Sequence, residues 1–340
     1  MLHLDGSYGE GGGQILRTAL SLAAVTGVPV QIQRIRAGRP KPGLRPQHLT
    51  AVQALARVSQ AEVTGAHLGS QELTFKPRTP QGGQYSFDVA QTTGSAGAVS
   101  LIAQALLPPL LKAKTPATVI LKGGTHVPWS PPVHYLSQVF LPALALLGAR
   151  AEISLERWGW YPKGGGEVCL KIMPARALAG IEWRTPAIPA AFRALSGSSK
   201  LPEHVARRQG ARLTARLGEA VPVEIISASG QAPGSFVFLW GPRAGFSALG
   251  ARGKPAEQVA DEVVDAYLAF RESGAALDLH LADQILLYLA LARGPSIITT
   301  EAVTSHLLTN IWVIEQFLKP KFEVRGDLGA PGEILCKGHK

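Results

Sequence analysis

The sequence predicts an α/β (α+β) chain in which three repeated β-α-β-α-β-β units form a large domain, with a smaller α/β domain inserted into the third. Three observations predict it. Apolar residues switch repeatedly between the two-residue period of strands and the 3.6-residue period of helices. The same order of elements returns along the chain. The third return is interrupted by a long segment with its own alternating pattern. At 340 residues and 46% hydrophobic side chains, the chain can bury a large core and fill two domains. The expected boundaries are 1–184 plus 278–340 for the large domain and 185–277 for the insertion.

The first unit opens with a strand at 2–5, where Leu2 and Leu4 alternate with polar residues, and continues as a helix at 14–26 and a strand at 28–36. Pro46, a residue suited to a helix start, opens a second helix at 46–58. Strands at 61–63 and 72–76 close the unit, with Gly65 and Gly69 marking the hairpin between them. The second unit reads as a strand at 85–89, a helix at 97–111, a strand at 117–121, a helix at 132–147, and strands at 151–155 and 167–172. The third takes its first strand from 180–184. It resumes with a helix at 281–292, a strand at 296–299, a helix at 306–318, and strands at 322–325 and 333–336. The insertion holds a helix at 203–217, strands at 223–227 and 235–239, and a helix at 255–273. Its segment from Gly250 to Pro255 is either a tight turn or a reach towards the large domain.

Repetition makes three helix starts equivalent: the glycine turn at 9–13, Thr93-Gly94-Ser95-Ala96-Gly97, and His280-Leu281-Ala282-Asp283-Gln284. If they converge, they enclose a nucleotide-sized pocket. The first is the most telling. In Asp5-Gly6-Ser7-Tyr8-Gly9-Glu10-Gly11-Gly12-Gly13-Gln14-Ile15-Leu16-Arg17, a carboxylate and an arginine flank a triple glycine that enters a helix. Glycine lets backbone approach a ligand closely, and a helix start attracts anions. Glu10 can then hold a divalent cation and Arg17 a phosphate oxygen. A simple strand-to-helix connection explains the same glycines equally well. Neither the Walker loop nor the alternating-glycine dinucleotide fingerprint is present.

Thirty-four basic against 24 acidic side chains leave a net charge of +10, which favours polyanionic partners. Arg34, Arg36, Arg39, Lys41, Arg45 and His48 crowd a loop rich in glycine and proline, the kind of place where charge is presented for binding. Arg207, Arg208, Arg212 and Arg216 have helical spacing and read as an exposed face. The two cysteines, Cys169 and Cys336, show no paired spacing, so neither a disulfide framework nor a zinc site is expected. No signal-peptide pattern opens the chain and no apolar run is long enough for a membrane, so a cytoplasmic protein is expected.

Near the C-terminus, Thr304-Ser305-His306-Leu307-Leu308-Thr309-Asn310 places a histidine at the start of an apolar helix. Such a histidine is ordinarily a cap or a core residue. Beside a metal-bound triphosphate it has another use. A neutral imidazole, with a reference pKa of about 6.5, can attack an α-phosphorus and store the nucleotide as a phosphoramidate.

The ordered motifs across the chain resemble the RNA 3'-terminal phosphate cyclase family. They comprise the segment 9–17, Ile35-Arg36-Ala37-Gly38-Arg39-Pro40-Lys41-Pro42-Gly43-Leu44, Gln47-His48-Leu49, Gly123-Gly124-Thr125 with Pro131-Pro132, residues 159–166 and 245–257, Leu281-Ala282-Asp283-Gln284, and His306-Leu307-Leu308-Thr309-Asn310. The resemblance implies ATP-dependent conversion of an RNA 3'-phosphate into a 2',3'-cyclic phosphodiester, through a histidine adenylate and an RNA-adenylate. It implies His306 as nucleophile and Glu10 as ligand of a divalent cation, Mg2+ or Mn2+. Arg17, Arg36, Arg39, Gln47 and His48 would contact phosphates or the RNA end. Gln104, Pro131, Phe246, His280, Asp283 and Gln284 would form the ATP nucleoside pocket. Where family members can carry tyrosine for adenine stacking, this chain has His280, a smaller platform. The expected partners are ATP and an RNA with a 3'-phosphate end, engaged by a monomer or homodimer. A non-catalytic cyclase-like factor in ribosomal RNA processing is the alternative, and it would lack the nucleophilic histidine. An enolpyruvyl transferase shares the repeated units but not the motifs around Arg36 and His306.

Overall fold

The structure is a computed structural model, and it describes residues 1–90, 96–187, 191–319 and 321–339. Four small mixed sheets and the helices between them make up a mixed α/β protein. The first sheet holds β1 (Leu2–Asp5), β2 (Val30–Gln33), β3 (Glu62–Thr64) and β4 (Leu73–Lys76) in the order β1-β2-β4-β3. β1 and β2 run parallel because α1 (Gly13–Thr26) crosses between them; β4 returns antiparallel to both β2 and β3. After β2 comes α2, at Pro46–Val58.

The second sheet repeats this order and these directions with β5 (Gly83–Asp88), β6 (Ala117–Gly123), β7 (Arg150–Arg157) and β8 (Gly166–Met173). Its helices are α3 (Val99–Lys112) and α4, which begins at Val133–Tyr135, passes through a π-helical turn at Leu136–Phe140 and ends at Leu141–Leu146. The expected helix start at Thr93-Gly94-Ser95 lies outside the described residues. A third sheet has the same plan, built from β9 (Glu182–Trp183) and, much later, β14 (Ser296–Thr300), β15 (Phe322–Arg325) and β16 (Gly332–Cys336). α7 (Leu279–Leu291) and α8 (Ser305–Phe317) belong to it.

Between β9 and α7 lies the fourth sheet, β11-β10-β12-β13, made of β10 (Arg193–Ser199), β11 (Val223–Ser227), β12 (Gly234–Gly241) and β13 (Ala244–Leu249). It carries α5 (His204–Leu217) and α6 (Ala256–Ser273). β10 and β13 were not expected from sequence. β10 is rich in serine, and its Gly197 lies so close to Trp158 that a Cβ there would sit 2.4 Å from a ring carbon. The alternation along β12 divides its burial. Val237 and Leu239 join Phe192, Leu213, Val259 and Phe270 in a core of the insertion's own, whereas Phe236 and Phe238 face the main core.

That main core is centred on α1, which packs against α8, α3 and α2 and buries Leu16, Leu20 and Leu22 almost completely. Each such side chain stabilises the fold by roughly 1.5–3 kcal/mol. Two expected strands are shorter than the sequence suggests by more than one residue. β2 ends at Gln33 because Arg34 and Arg36 adopt left-handed φ values of 52° and 57°, opening the basic loop. The strand expected at 180–184 is reduced to β9, where Arg184 has left the ladder to pair with Glu182 and Glu333. No helix among the described residues is long and apolar enough to cross a membrane. Cys169 and Cys336 are both free.

Candidate active site

The first helices of the three like sheets, together with α8 and the insertion, surround a cavity of about 800 Å³. Gln14 and Arg17 reach it from α1, Gln104 from α3, His280, Asp283 and Gln284 from α7, and His306 and Asn310 from α8. Pro131 borders it ahead of α4, and the insertion contributes Phe246, Ser247, Ala266 and Ala269. Glu10 lies on its edge. Nine of the thirteen residues expected from sequence thus share one cavity: Glu10, Arg17, Gln104, Pro131, Phe246, His280, Asp283, Gln284 and His306.

His306 sits in the first turn of α8, whose N-cap Thr304 accepts a hydrogen bond from the Leu307 amide at 3.0 Å. The Asp283 carboxylate lies 2.7 Å from His306 Nδ1. A carboxylate only accepts, so Nδ1 carries a proton, and in the neutral ring Nε2 keeps its lone pair. Asp283 is itself fixed: Gln14 Nε2 donates to its other oxygen at 2.8 Å, and Asn310 Nδ2 donates to its main-chain carbonyl at 2.9 Å. Thr18 Oγ1 in turn donates to Asn310 Oδ1 at 2.9 Å. Burial lowers the His306 pKa, but the adjacent Asp283 charge, its hydrogen bond and Glu10 together outweigh burial, and the net shift is upward from 6.5. The imidazole therefore needs a higher pH to become neutral than its reference value implies, a correction to the sequence expectation.

Arg17 is held below its usual value, at about 10, chiefly by burial, with Asp283 opposing the shift and Arg36 adding to it. It remains a cation at neutral pH. Its guanidinium has no hydrogen-bond partner among the described residues. Gln14 Oε1 is likewise buried without a partner. A cation and an acceptor are thus left open beside His306, an arrangement suited to a polar ligand.

The other four expected residues do not line the cavity. Arg39 and His48 pack against the glycine turn, whereas Arg36 and Gln47 bond backbone elsewhere. Gly9 and Gly11 have left-handed φ values of 54° and 53°, and a Cβ on Gly13 would lie 2.2 Å from His48 Nε2. A Cβ on Gly12 would lie 2.9 Å from an Arg39 nitrogen. The missing side chains therefore let His48 and Arg39 approach α1. His48 is buried, and burial first, then Arg17, Arg36 and Arg45, hold its pKa well below 6.5. It is neutral and adds no charge to the basic loop. Arg39 lies 3.3 Å from Glu10. Arg36 donates to the carbonyls of Lys41 and Gly43 at 2.7 and 2.9 Å and so shapes its own loop. Gln47 accepts from the Ala98 amide at 3.1 Å. Tyr8 stacks on Trp312, with ring centroids 4.0 Å apart, and ties this corner to α8.

Among the residues expected to hold the nucleoside, Gln104 donates to Gln284 at 2.7 Å, while His280 presents an exposed ring edge-to-face with Tyr135 at 6.4 Å. Several residues here escaped sequence reasoning. Asp278 caps α7 through the amides of His280 and Leu281, both at 2.8 Å, and accepts from Tyr135 Oη and the Gly245 amide at 2.9 Å. An aspartate directly before an apolar helix was its available signal. Glu301 lines the cavity and is raised to about 7, mainly by burial. Trp129 also lines it and is 98% exposed. Nothing periodic in the sequence marks either residue.

Two features away from the cavity have simple structural accounts. The Arg207 to Arg216 stripe is paired with acids: Arg207 with Glu203, Arg208 with Glu257, Arg212 with Asp261, and Arg216 with Asp261 and Asp265. The turn from Gly250 to Pro255 stays within the insertion, where Lys254 bonds Glu262 and the Leu249 carbonyl. No cluster of three or more metal-ligating His, Cys, Asp or Glu occurs among the described residues.

Comparison of the sequence with known proteins points to one family. The family model for RNA 3'-terminal phosphate cyclase matches residues 8–324. A protein of that name from Methylococcus capsulatus is 49% identical over 336 residues, covering 96% of this chain and 93% of its own length. One from Gloeothece citriformis is 49% identical over 327 residues, covering 93% of each chain. One from Thermococcus onnurineus is 45% identical and is covered over 99% of both chains. By residues matched and by identity, the chain belongs to the RNA 3'-terminal phosphate cyclase family.

Proposed function

We propose that this chain is an ATP-dependent RNA 3'-terminal phosphate cyclase and that His306 is its nucleophile. The observation that carries this reading is the Asp283-held His306, with Nε2 left free on a cavity that also presents Arg17. His306 Nε2 attacks the α-phosphorus of ATP, forming an N–P bond and releasing pyrophosphate. The product ring is a cation while Nδ1 keeps its proton, and the carboxylate 2.7 Å away stabilises that charge. An oxygen of the RNA 3'-phosphate then attacks the adenylate phosphorus. The N–P bond breaks, His306 is regenerated and the RNA carries an adenylate. The vicinal 2'-hydroxyl attacks the 3'-phosphorus, loses its proton to solvent and expels AMP, leaving the 2',3'-cyclic phosphodiester.

Arg17 balances phosphate charge inside the cavity, and Arg39 and the basic loop do so at its edge. Gln104, Pro131, Phe246, His280 and Gln284 form the nucleoside wall. Arg36, Gln47 and His48 act by shaping the loop and the glycine turn that receive the RNA end. Glu10, half-buried and paired with Arg39, offers a single carboxylate, which would suit a Mg2+ or Mn2+ ion bound largely through waters and substrate phosphates. When bound there, such an ion would draw charge from the departing pyrophosphate. The three like sheets are repeats within one large domain, residues 1–184 plus 278–340. Residues 185–277, with a core of their own, are an inserted domain that closes one side of the cavity.

The test is a 3'-phosphorylated RNA oligonucleotide incubated with the protein, ATP and Mg2+. Its end is expected to become resistant to phosphatase only when ATP is present and His306 is intact. An end that stays phosphatase-sensitive with the wild-type protein rules the activity out.

A further inference from the structure

Trp129 is the most exposed large apolar side chain of the described residues, at 98%, yet it borders the catalytic cavity. Its indole makes no ring contact and no hydrogen bond among the described residues. Its backbone holds a left-handed φ of 57°, an uncommon state for a bulky residue that carries a strain cost. The loop is nevertheless firm. Pro128, Pro131 and Pro132 flank the residue, Ser130 Oγ donates to the Val127 carbonyl at 3.0 Å, and the Val133 amide bonds the Thr125 carbonyl at 3.2 Å. A strained, pre-ordered tryptophan in water at the lip of a pocket buries nothing within its own chain. It is built to cover something that arrives.

We propose that Trp129 is a stacking platform for the base of the RNA's 3'-terminal nucleotide, a positioning residue for the second half of the reaction. The inference rests on the cyclase reading above. The nucleoside wall lies within the cavity and has Pro131, Phe246 and His280 to enclose adenine. An RNA end must point its 3'-phosphate inward to His306, so its terminal base stays at the lip, where the indole stands. Stacking on an aromatic ring is sequence-tolerant because every base offers a π-face, and it is a common means of holding single-stranded ends. The Arg36 to Arg45 loop supplies attraction for phosphates, and Trp129 supplies the contact with the base.

The two half-reactions separate this role from a role in ATP binding. Wild type, W129A and W129F are compared for ATP-dependent enzyme adenylation, and then for turnover of the preformed adenylate with 3'-phosphorylated RNA. W129A is expected to raise the KM for RNA about tenfold more than the KM for ATP, and W129F to recover most of the loss. An RNA whose terminal nucleotide lacks its base should lose a similar factor with wild type and little more with W129A. A larger effect on ATP than on RNA, an unchanged KM for RNA, or equal sensitivity of both variants to the missing base would overturn the proposal. A wild-type protein that forms no adenylate would instead sink the cyclase reading on which it rests.

Discussion

The decisive residue pair is His306 and Asp283. Their 2.7 Å contact fixes the tautomer of the neutral ring and helps raise its pKa, because burial, which disfavours the proton, is outweighed by Asp283 and Glu10 together. A group with a raised pKa is protonated until higher pH. The adenylation rate should therefore climb with pH through an inflection above 6.5. Asp283→Asn removes the charge and permits the wrong tautomer. It should slow adenylation by about 10²–10⁴-fold and move that inflection downward, as read from single-turnover rates between pH 5.5 and 9. An unchanged rate would show that Asp283 only supports the helix. The sequence displayed both residues in its motifs, but not their contact. Residues 23 positions apart on different helices meet only through packing. Trp129 and Glu301 were hidden for a related reason, since exposure at a lip and burial of a carboxyl are properties of the folded surface.

Element by element, most of the fold was legible, because period and turn residues agree in most segments. The spans of β1, α2, β11 and β15 agree with the sequence reading, whereas β10 and β13 went unread. Serine, glycine and alanine fill β10, and its strand character comes from lying between β11 and β12, not from its own pattern. The α5 arginine stripe shows what helical spacing alone leaves unsaid. Arg207 and Arg208 are exposed, as expected, whereas Arg212 and Arg216 are half-buried, and all but Arg207 pair with acids of α6. Asp261 joins Arg212 and Arg216, so Asp261→Ala should free Arg212 and leave Arg216 on Asp265 alone. Ion pairs still open to solvent contribute little, so the melting temperature should fall by no more than about 2 °C, less in high salt. Adenylation should not change. A marked loss of RNA turnover in this variant would mean that the stripe has a functional role.

The whole molecule is arranged so that three similar units and an insertion meet at one cavity, and Asp278 is the joint. It is 1% exposed and bonds Tyr135 of α4, the Gly245 amide of β13 and two amides of α7. Removing it strands several buried donors at once. Asp278→Ala should destabilise the protein by about 3–5 kcal/mol in denaturant unfolding and raise the KM for ATP, because His280 and Phe246 lose their shared anchor. Unaltered stability would show that the insertion is held by its apolar contacts alone. Convergence of the repeats was inferred from sequence symmetry, and the cavity does draw residues from α1, α3 and α7. Of the insertion's share in its wall only Phe246 was expected, through the family resemblance; Ser247, Ala266 and Ala269 were not, because β13 has no strand pattern of its own.

The central claim, that His306 carries the nucleotide, is tested most directly by incubating the protein with Mg2+ and ATP labelled on the α-phosphate, followed by denaturing separation. Wild type should retain label that acid releases and base does not, and His306→Ala should retain none. Equal labelling of the two proteins, or none on wild type, would contradict the account.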